Sequence, residues 1–477
     1  MISVDLDASS GLGGRPEAAN FEGLTWLKLN FNFIYTGTMP FAPPSRASRE
    51  ELDTVFEMIG HKSFHTLSDN NTRIFQSTFQ GKKPRNEDRS VFYESSLGTI
   101  VAIFDGHHSD ELSEYASKTL PALLCERIQK TLVDEDRNLD HAVRNSLSAG
   151  IEDFDRSLLQ GFYDIWPKKD QTDWDDPLWL DPGEVFEVIG YSRVNPKFQR
   201  ARYAVVGSTA LVVFIDKAKE NVWVASLGDS EAVVGKMKTD GAVLRSKRLN
   251  DFHNGKDEKE VQRLNAEHPD EPPVIKYGRV FGSLAVTRAL GNHQLKAPLN
   301  LAAKILLCAY PAPFGDDWMT ELAQAGHVNR PYISSTPSIQ HHVIDNDDVL
   351  VLYSDGLGYE LRNLDEKDKL DLVVTAAAAD HALPEKLQKV WSDKLGHRFI
   401  APKAGDNLAE RVIKNVCFGT DSEKMIEAIA PSSEPWDDIT VVVHQHFVVQ
   451  LHGRLNTIVV DEDTKVGRPY GAASRLL

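Results

Sequence analysis

The sequence is short of cysteine, of basic residues and of long apolar runs, and each shortage excludes something. Only three cysteines occur in 477 residues. Cys125, Cys308 and Cys417 lie far apart, form no Cys-x-x-Cys pair and sit in apolar stretches such as Leu123-Leu124-Cys125. A zinc ribbon or thioredoxin-type site is thereby ruled out, and an odd count makes a poor disulfide framework, so a reducing compartment is expected. Lys and Arg number 53 against 70 Asp and Glu, a net charge of −17. Such a chain is not drawn to nucleic acid or anionic lipid, both polyanions. An anionic substrate would have to be attracted by bound cations or by local Arg and Lys. No apolar run reaches the ~18 residues that suggest a membrane span. The best candidate, around Leu299 to Tyr310, is short and interrupted by Lys304. The early acids Asp5, Asp7 and Glu17 are unlike an import peptide, which is basic and poor in acids.

The chain is 41% hydrophobic, and one of this length buries roughly three quarters of its unfolded surface. Residues 1–65 are mixed, with an aromatic stretch (Trp26, Phe31, Phe33, Tyr35) ending in Pro40-Phe41-Ala42-Pro43-Pro44, and read as an N-terminal extension. A strand signal, Thr99 to Phe104, stops at Asp105-Gly106. Two helical stretches follow: one around Leu112 to Leu124, with Pro121 as a kink or break, and one carrying the apolar stripe Ala142, Val143, Leu147, Ile151, Phe154 and Leu158. Residues 160–200 and 293–331 read as insertions. Between them a hairpin, Ala210–Ile215 and Val222–Ser226, ends at Gly228-Asp229-Ser230, and a strand from Ala232 returns at once. Short consecutive strands with tight turns mean antiparallel pairing. Strands Val349–Tyr353 and Ile439–Val443 bracket a helical stretch. The expected fold class is α+β: an antiparallel β-sandwich flanked by helices on both faces, with a catalytic domain over 66–448 and a tail over 449–477.

Asp105 and Asp355 each end an apolar strand, and Asp437 begins one. Taken singly, an Asp-Gly after a strand is ordinary turn chemistry. Gathered at one sheet edge, such carboxylates would suit hard divalent cations and a two-metal hydrolytic site. Sequence spacing alone does not bring them together.

Six segments in order give the chain a family resemblance: Arg85-Asn86-Glu87-Asp88-Arg89, Phe104-Asp105-Gly106-His107, Gly207-Ser208-Thr209-Ala210 with Gly228-Asp229-Ser230, Gly282 through Gly291 (Gly-Ser-Leu-Ala-Val-Thr-Arg-Ala-Leu-Gly), Ser354-Asp355-Gly356-Leu357, and Asp437-Asp438-Ile439-Thr440-Val441. Over about residues 68–447 it resembles the metal-dependent protein serine/threonine phosphatases, the phosphatase 2C family. The run Arg263-Leu264-Asn265-Ala266-Glu267-His268-Pro269 and the large insertions make it most similar to the mitochondrial pyruvate dehydrogenase phosphatase branch.

The resemblance implies an αββα fold, two Mg²⁺ or Mn²⁺ ions, and hydrolysis of phosphoserine or phosphothreonine by a metal-activated water. Asp105 would bridge the ions, Asp355 and Asp437 would complete one ion's protein ligands, and Glu87 with the Gly106 carbonyl would hold the other. All are oxygen donors, which suit Mg²⁺ and Mn²⁺ and disfavour Zn²⁺. His107 is the acid for the leaving alkoxide, and Asp88 of the opening acidic pair is counted with it as catalytic. Lys83 holds the family's cationic position, with Arg85 two residues on, and phosphate binding falls to these two. The branch implies the pyruvate dehydrogenase complex as phosphoprotein substrate and the mitochondrial matrix as location. Since no import signal is seen, either that signal is atypical or missing from this start site, or the cytosol is the alternative location.

The chain departs from the family pattern at Ser109, Glu231 and Asn292, positions expected to touch packing or supporting contacts, and at Gly358-Tyr359 and Ala204, where acids tied to a third metal in some members are missing. His341-His342 has no such context and reads as surface. The rival reading is a pseudophosphatase, the same fold used as a regulatory binding module. The intact set Glu87, Asp88, Asp105, His107, Asp355 and Asp437 argues against it.

Overall fold

The computed structural model describes residues 60–80, 85–134, 138–166, 182–309, 318–345, 347–429 and 436–446. The expected extension up to residue 59, the tail over 449–477 and Lys83 lie outside the described residues. Fifteen strands occur among those described: β1 Gly60–Thr66, β2 Thr72–Phe79, β3 Asp88–Glu94, β4 Gly98–His107, β5 Gly207–Ser208, β6 Ala210–Asp216, β7 Asn221–Leu227, β8 Glu231–Met237, β9 Val243–Arg248, β10 Ile275–Lys276, β11 Arg279–Val280, β12 Leu290–Gly291, β13 Ser338–Val343, β14 Val349–Tyr353 and β15 Ile439–His446. They form a six-stranded sheet ordered β1-β2-β15-β14-β8-β9, a seven-stranded sheet in which β12-β5-β4-β6-β7-β13 run in order and β3 pairs β4, and the small β10-β11 hairpin. All these pairings are antiparallel. The six-stranded sheet begins at Gly60, inside the stretch read as extension.

Successive side chains on a strand point to opposite faces, and the buried clusters follow that period. Val101 and Ile103 of β4 join Leu211 and Val213 of β6, Leu350 and Leu352 of β14 and Val442 of β15 in a core between the sheets. Ile100, Ala102 and Phe104 face the other way, into a cluster shared with helices α1 (Glu111–Asp134) and α2 (Leu139–Tyr163). On the far side, Val349, Val351 and Tyr353 pack against α8 (Asp355–Glu360), α9 (Glu366–Ala378), α10 (Glu385–Leu395), α11 (Leu408–Ile413) and α12 (Ser422–Ile429). The expected layering, helices on both faces of an antiparallel sandwich, is what the strand alternation produces.

The insertions are part of this core. Helices α3 (Pro182–Ile189), α4 (Pro196–Val205) and α6 (Leu299–Cys308) contribute Val185, Ile189, Phe198, Ala201, Leu301 and Ile305 to the cluster that holds Phe104. Helix α7 (Trp318–Gln324) places Leu322 in a separate cluster with Phe281 and Tyr332.

Two readings from sequence need correction. Of the two outcomes expected at Pro121, a kink or a break, the break does not occur, for α1 runs through it. An interior proline costs about 3 kcal/mol, whereas Leu112, Leu120, Leu124 and Ile128 are all fully buried, each contributing about 1.5–3 kcal/mol. His341 and His342 are half-buried on β13, not surface: His341 stacks on Trp223 with ring centroids 4.7 Å apart, and His342 Nε2 lies 2.9 Å from the Leu249 carbonyl.

Helix α5 (Glu258–Glu267) ties the long signature segment to this frame. Glu260 is buried, and it accepts from Thr287 Oγ1 at 2.7 Å, Arg288 Nη2 at 2.6 Å and Arg263 Nη2 at 2.8 Å. Burial alone would raise its carboxyl, but Arg288, Arg263 and Thr287 together hold it down at about 2. A depressed carboxyl contributes stability that is present above its unfolded value, near 4.3, and lost as pH falls toward 2. Glu260→Gln leaves Arg288 without its carboxylate and Arg263 with Glu267 alone, and should cost about 3 kcal/mol in urea unfolding. Wild-type stability should decline between about pH 4.5 and 2 more steeply than that of the variant.

Candidate active site

The antiparallel register sets Asp88 of β3 directly opposite Asp105 of β4. Like charges at that position repel, so the surrounding contacts matter. Asp88 is buried, and its Oδ2 accepts from Ser354 Oγ at 2.7 Å. The same Ser354 Oγ accepts from the Thr440 amide at 2.9 Å, binding the end of β14 and the start of β15 to β3. Asp105 donates its amide to Thr209 Oγ1 at 3.1 Å, and its carbonyl accepts from Thr209 N at 2.8 Å. Asp438, buried, accepts from the Glu87 amide at 2.7 Å and donates its own amide to Asp437 Oδ1 at 2.9 Å. A Cβ on Gly106 would lie 2.7 Å from the Glu87 carbonyl and 2.9 Å from that of Ser109, so the backbone there is threaded where only glycine fits.

The structure brings Asp88, Asp105, Asp355 and Asp437 into one electrostatic cluster. Burial pushes the Asp105 carboxyl well up, and the charges of Asp88, Asp355 and Asp437 push it further. Burial does the same to Asp88, with Asp438 and Asp355 adding repulsion. The Asp355 carboxyl is a close neighbour of Asp105 and adds to the upward push on it, a repulsion that a proton or a cation between them would relieve. Among the described residues no three acidic, histidine or cysteine side chains form a ready-made metal cage. The donor set is nonetheless all oxygen and anionic, and its self-repulsion is what a hard divalent cation relieves. These residues fit Mg²⁺ or Mn²⁺.

Asp229 belongs to the cluster and was not singled out from sequence. It is buried, and burial together with the Asp355 charge raises its carboxyl to about 8, while Asn254 Nδ2 donates to its Oδ2 at 3.3 Å. The signal was available: Asp229, like Asp105, stands at a strand end in a Gly-Asp turn between β7 and β8.

His107, the last residue of β4, is anchored by Asn292. Asn292 Nδ2 donates to the Val205 carbonyl at 3.3 Å, which turns its Oδ1 toward His107 Nε2 at 2.6 Å. Nε2 therefore donates, leaving Nδ1 as the nitrogen that Asn292 does not engage. Asn292 is itself buried in a left-handed conformation (φ 49°) that asparagine tolerates. Of the departures, Asn292 and Glu231 do carry supporting contacts, Glu231 pairing with Arg248 at 2.9 Å. Arg85 is exposed, 3.9 Å from Asp110, a carboxylate that Arg89 Nη2 also meets at 3.0 Å.

A two-sheet sandwich with buried carboxylates converging at its strand ends, beside an anchored histidine, has the makings of a hydrolase that works through hard cations. Residues 191–407 match the family described as Protein phosphatase 2C. Similar proteins include the mitochondrial pyruvate dehydrogenase [acetyl-transferring]-phosphatase 1 of Bos taurus, 32% identical over 263 residues, and that of Homo sapiens, 27% identical, each alignment covering 51% of this chain and 48% of the relative. A probable protein phosphatase 2C 78 of Oryza sativa is 25% identical over 296 residues, 60% of either chain. A Toxoplasma gondii phosphatase structure superposes with a TM-score of 0.42 at 17% identity, covering 79% of this chain and 93% of that one. Over residues 191–407 the chain is thus similar to the phosphatase 2C family. It spans about half the length of the pyruvate dehydrogenase phosphatases it matches. The matched segment contains Asp229 and Asp355, while Glu87, Asp88, Asp105, His107 and Asp437 lie outside it.

Gly207 lies under the histidine: a Cβ there would fall 1.8 Å from His107 Nε2 and 2.1 Å from Asn292 Oδ1. Gly207→Ala should part the two side chains. Imidazole ¹⁵N shifts in histidine-labelled protein should read an Nε2–H form of His107 in wild type and its loss in the variant.

Proposed function

We propose that the chain is a metal-dependent protein phosphatase acting on phosphoserine and phosphothreonine. The observation that carries this reading is the cluster of Asp88, Asp105, Asp229, Asp355 and Asp437, in which burial and neighbouring acid charges raise Asp88, Asp105 and Asp229, and only Asp437 is open to solvent. Glu87, Asp105, the Gly106 carbonyl, Asp355 and Asp437 are the ligands proposed for two Mg²⁺ or Mn²⁺ ions. Such ions supply a water acidified enough to attack phosphorus near neutral pH.

The chain's own residues do the rest. The Ser354–Asp88 bond and the Thr209–Asp105 pair fix the carboxylates on strands rather than loops, which keeps their oxygens oriented without substrate. Anchored through Nε2, His107 can hold a proton on Nδ1 and deliver it to the serine or threonine oxygen as the ester bond breaks. Arg85 and Lys83 bind the phosphate oxygens, opposing the negative field of the acids. The likeness to pyruvate dehydrogenase phosphatases supports that complex as substrate and mitochondria as setting.

Hydrolysis of a phosphoserine peptide should need Mg²⁺ or Mn²⁺ and should stop in excess chelator. Asp105→Asn and Asp355→Asn should each abolish turnover and weaken Mn²⁺ binding in calorimetry, while far-UV circular dichroism stays unchanged. Full turnover in chelator, or normal ion binding with a near-normal rate in either variant, would overturn the reading.

Lys83→Ala and Arg85→Ala should each raise KM for one small phosphate ester, the double variant more than either. A lost cationic contact to phosphate is worth about 1.5–3 kcal/mol. A silent Arg85→Ala would remove Arg85 from phosphate binding.

A further inference from the structure

The β10-β11 hairpin carries an isolated basic and aromatic tip on an acidic protein. Its turn is Lys276-Tyr277-Gly278-Arg279. Tyr277 is 99% exposed and stands at φ 54°, a conformation unusual for a residue of its kind. Lys276 and Arg279 are exposed, as is Lys256, whose side chain runs beside Gly278 with its Cγ 3.1 Å from where a Cβ would sit. Arg279 donates to the Ser283 carbonyl at 3.0 Å. Among the described residues none of the three cations makes an ion pair. Elsewhere Arg245, Arg248, Arg263 and Arg288 each pair with one or more carboxylates. Asp257, the acid next to Lys256, spends its Oδ1 on capping α5, accepting from the amides of Lys259 and Glu260.

The tip is joined to the carboxylate cluster through two consecutive residues. Asn254 donates to Asp229, and Gly255 packs so closely on the turn that a Cβ would lie 2.4 Å from the Gly278 carbonyl and 2.9 Å from the Arg279 amide. A polypeptide whose phosphorylated side chain enters the cluster therefore passes beside this tip.

We infer that Lys256, Lys276, Arg279 and Tyr277 form a docking surface for acidic residues flanking the phosphorylated residue of a polypeptide substrate. The inference rests on the phosphatase reading and names its substrate class. Three cations without counter-ions suit carboxylates, and complementary rim charges act on association rate and selection of partner. An exposed tyrosine adds a flat, low-entropy contact of the kind enriched at interfaces. Neighbouring carboxylates in the substrate would otherwise be repelled by a chain of net charge −17.

The test uses two fluorescein-labelled phosphoserine peptides, identical except for glutamates or alanines around the phosphoserine, and the full chain at low salt. Wild type should bind the glutamate peptide about tenfold more tightly, a few exposed ion pairs' worth. The preference should fade at 0.5 M salt, where screening shortens the range of exposed charges. The triple variant Lys256→Gln, Lys276→Gln, Arg279→Gln should bind both peptides within twofold of each other. Tyr277→Asn, which tolerates the same backbone, should weaken both alike. Equal binding of the two peptides by wild type would overturn the inference, as would an undiminished preference in the triple variant. So would binding to phosphatidylserine vesicles without peptide preference. Turnover of p-nitrophenyl phosphate with Mn²⁺ is measured separately and should be the same in wild type and triple variant. Its absence from both would sink the phosphatase reading, while the peptide preference would still decide the fate of the tip.

Discussion

Asp88 and Asp105 face each other across β3 and β4, and the edge of the sandwich is organised around keeping those two anions side by side. Paired acids away from water are costly, because each raises the free energy of ionising the other and burial penalises both. The structure tolerates the pair because the strands carrying it cannot slip. A one-residue shift in β4 would turn Val101 and Ile103 out of the inter-sheet core and bring Ile100 and Phe104 into it. The hydrophobic register thus holds the acids in place, and bound cations, or protons in their stead, relieve the repulsion. Packing between the sheets and chemistry at their edge are one constraint.

That constraint explains how the family segments divide their work. Ser354 and Thr440 flank Asp355 and Asp437, and their mutual bond fixes β14 to β15 where those acids emerge. Gly106 lets the chain pass the Glu87 carbonyl, and Gly207 leaves room for the His107 ring. The long segment from Gly282 to Gly291 does something different. Thr287 and Arg288 bind Glu260 on α5, and Gly291 donates its amide to Asp155 of α2 at 2.7 Å. Asp155 is also met by Lys296 at 2.8 Å. This segment is a brace whose far end, Asn292, holds the histidine.

The strands were legible because apolar, β-branched runs ended by Asp-Gly or Gly-Asp leave few alternatives, and the layered architecture follows from their spacing. The meeting of the acids was not legible, since Asp88, Asp229, Asp355 and Asp437 come from segments far apart in the chain and only tertiary pairing unites them. Asp229 was overlooked because its motif was read as a hairpin marker rather than as an acid at a strand end. Local rules failed where packing overrode them: Pro121 stays helical, and His341 is held by Trp223 and Asn221. Burial of α3, α4 and α6 in the central cluster was equally hidden, because the Asp-, Pro- and Trp-rich composition around residues 170–182 read only as an insertion.

Charge sets the remaining problem. An anion approaching a chain of net charge −17 meets repulsion at long range, but beyond a Debye length of about 8–10 Å that field is screened. What counts is the local balance, and the nearest arginine in sequence contributes little to it. Arg89 is consumed by Glu114, Asp110 and the carbonyls of Asn86 and Asp88, so it braces the start of β3 against the N-terminus of α1 instead of attracting ligand. Arg85 is also drawn toward Asp110, though at the looser distance of 3.9 Å and with its side chain more than half exposed, which leaves its charge available to a competitor. A phosphate carries more negative charge than one carboxylate and offers bidentate geometry to a guanidinium. In the proposed reaction, Arg85 would exchange Asp110 for an arriving phosphate once cations offset the acid cluster. On that reading, ion binding and phosphate binding would be coupled by the same carboxylates that the β3–β4 register forces together.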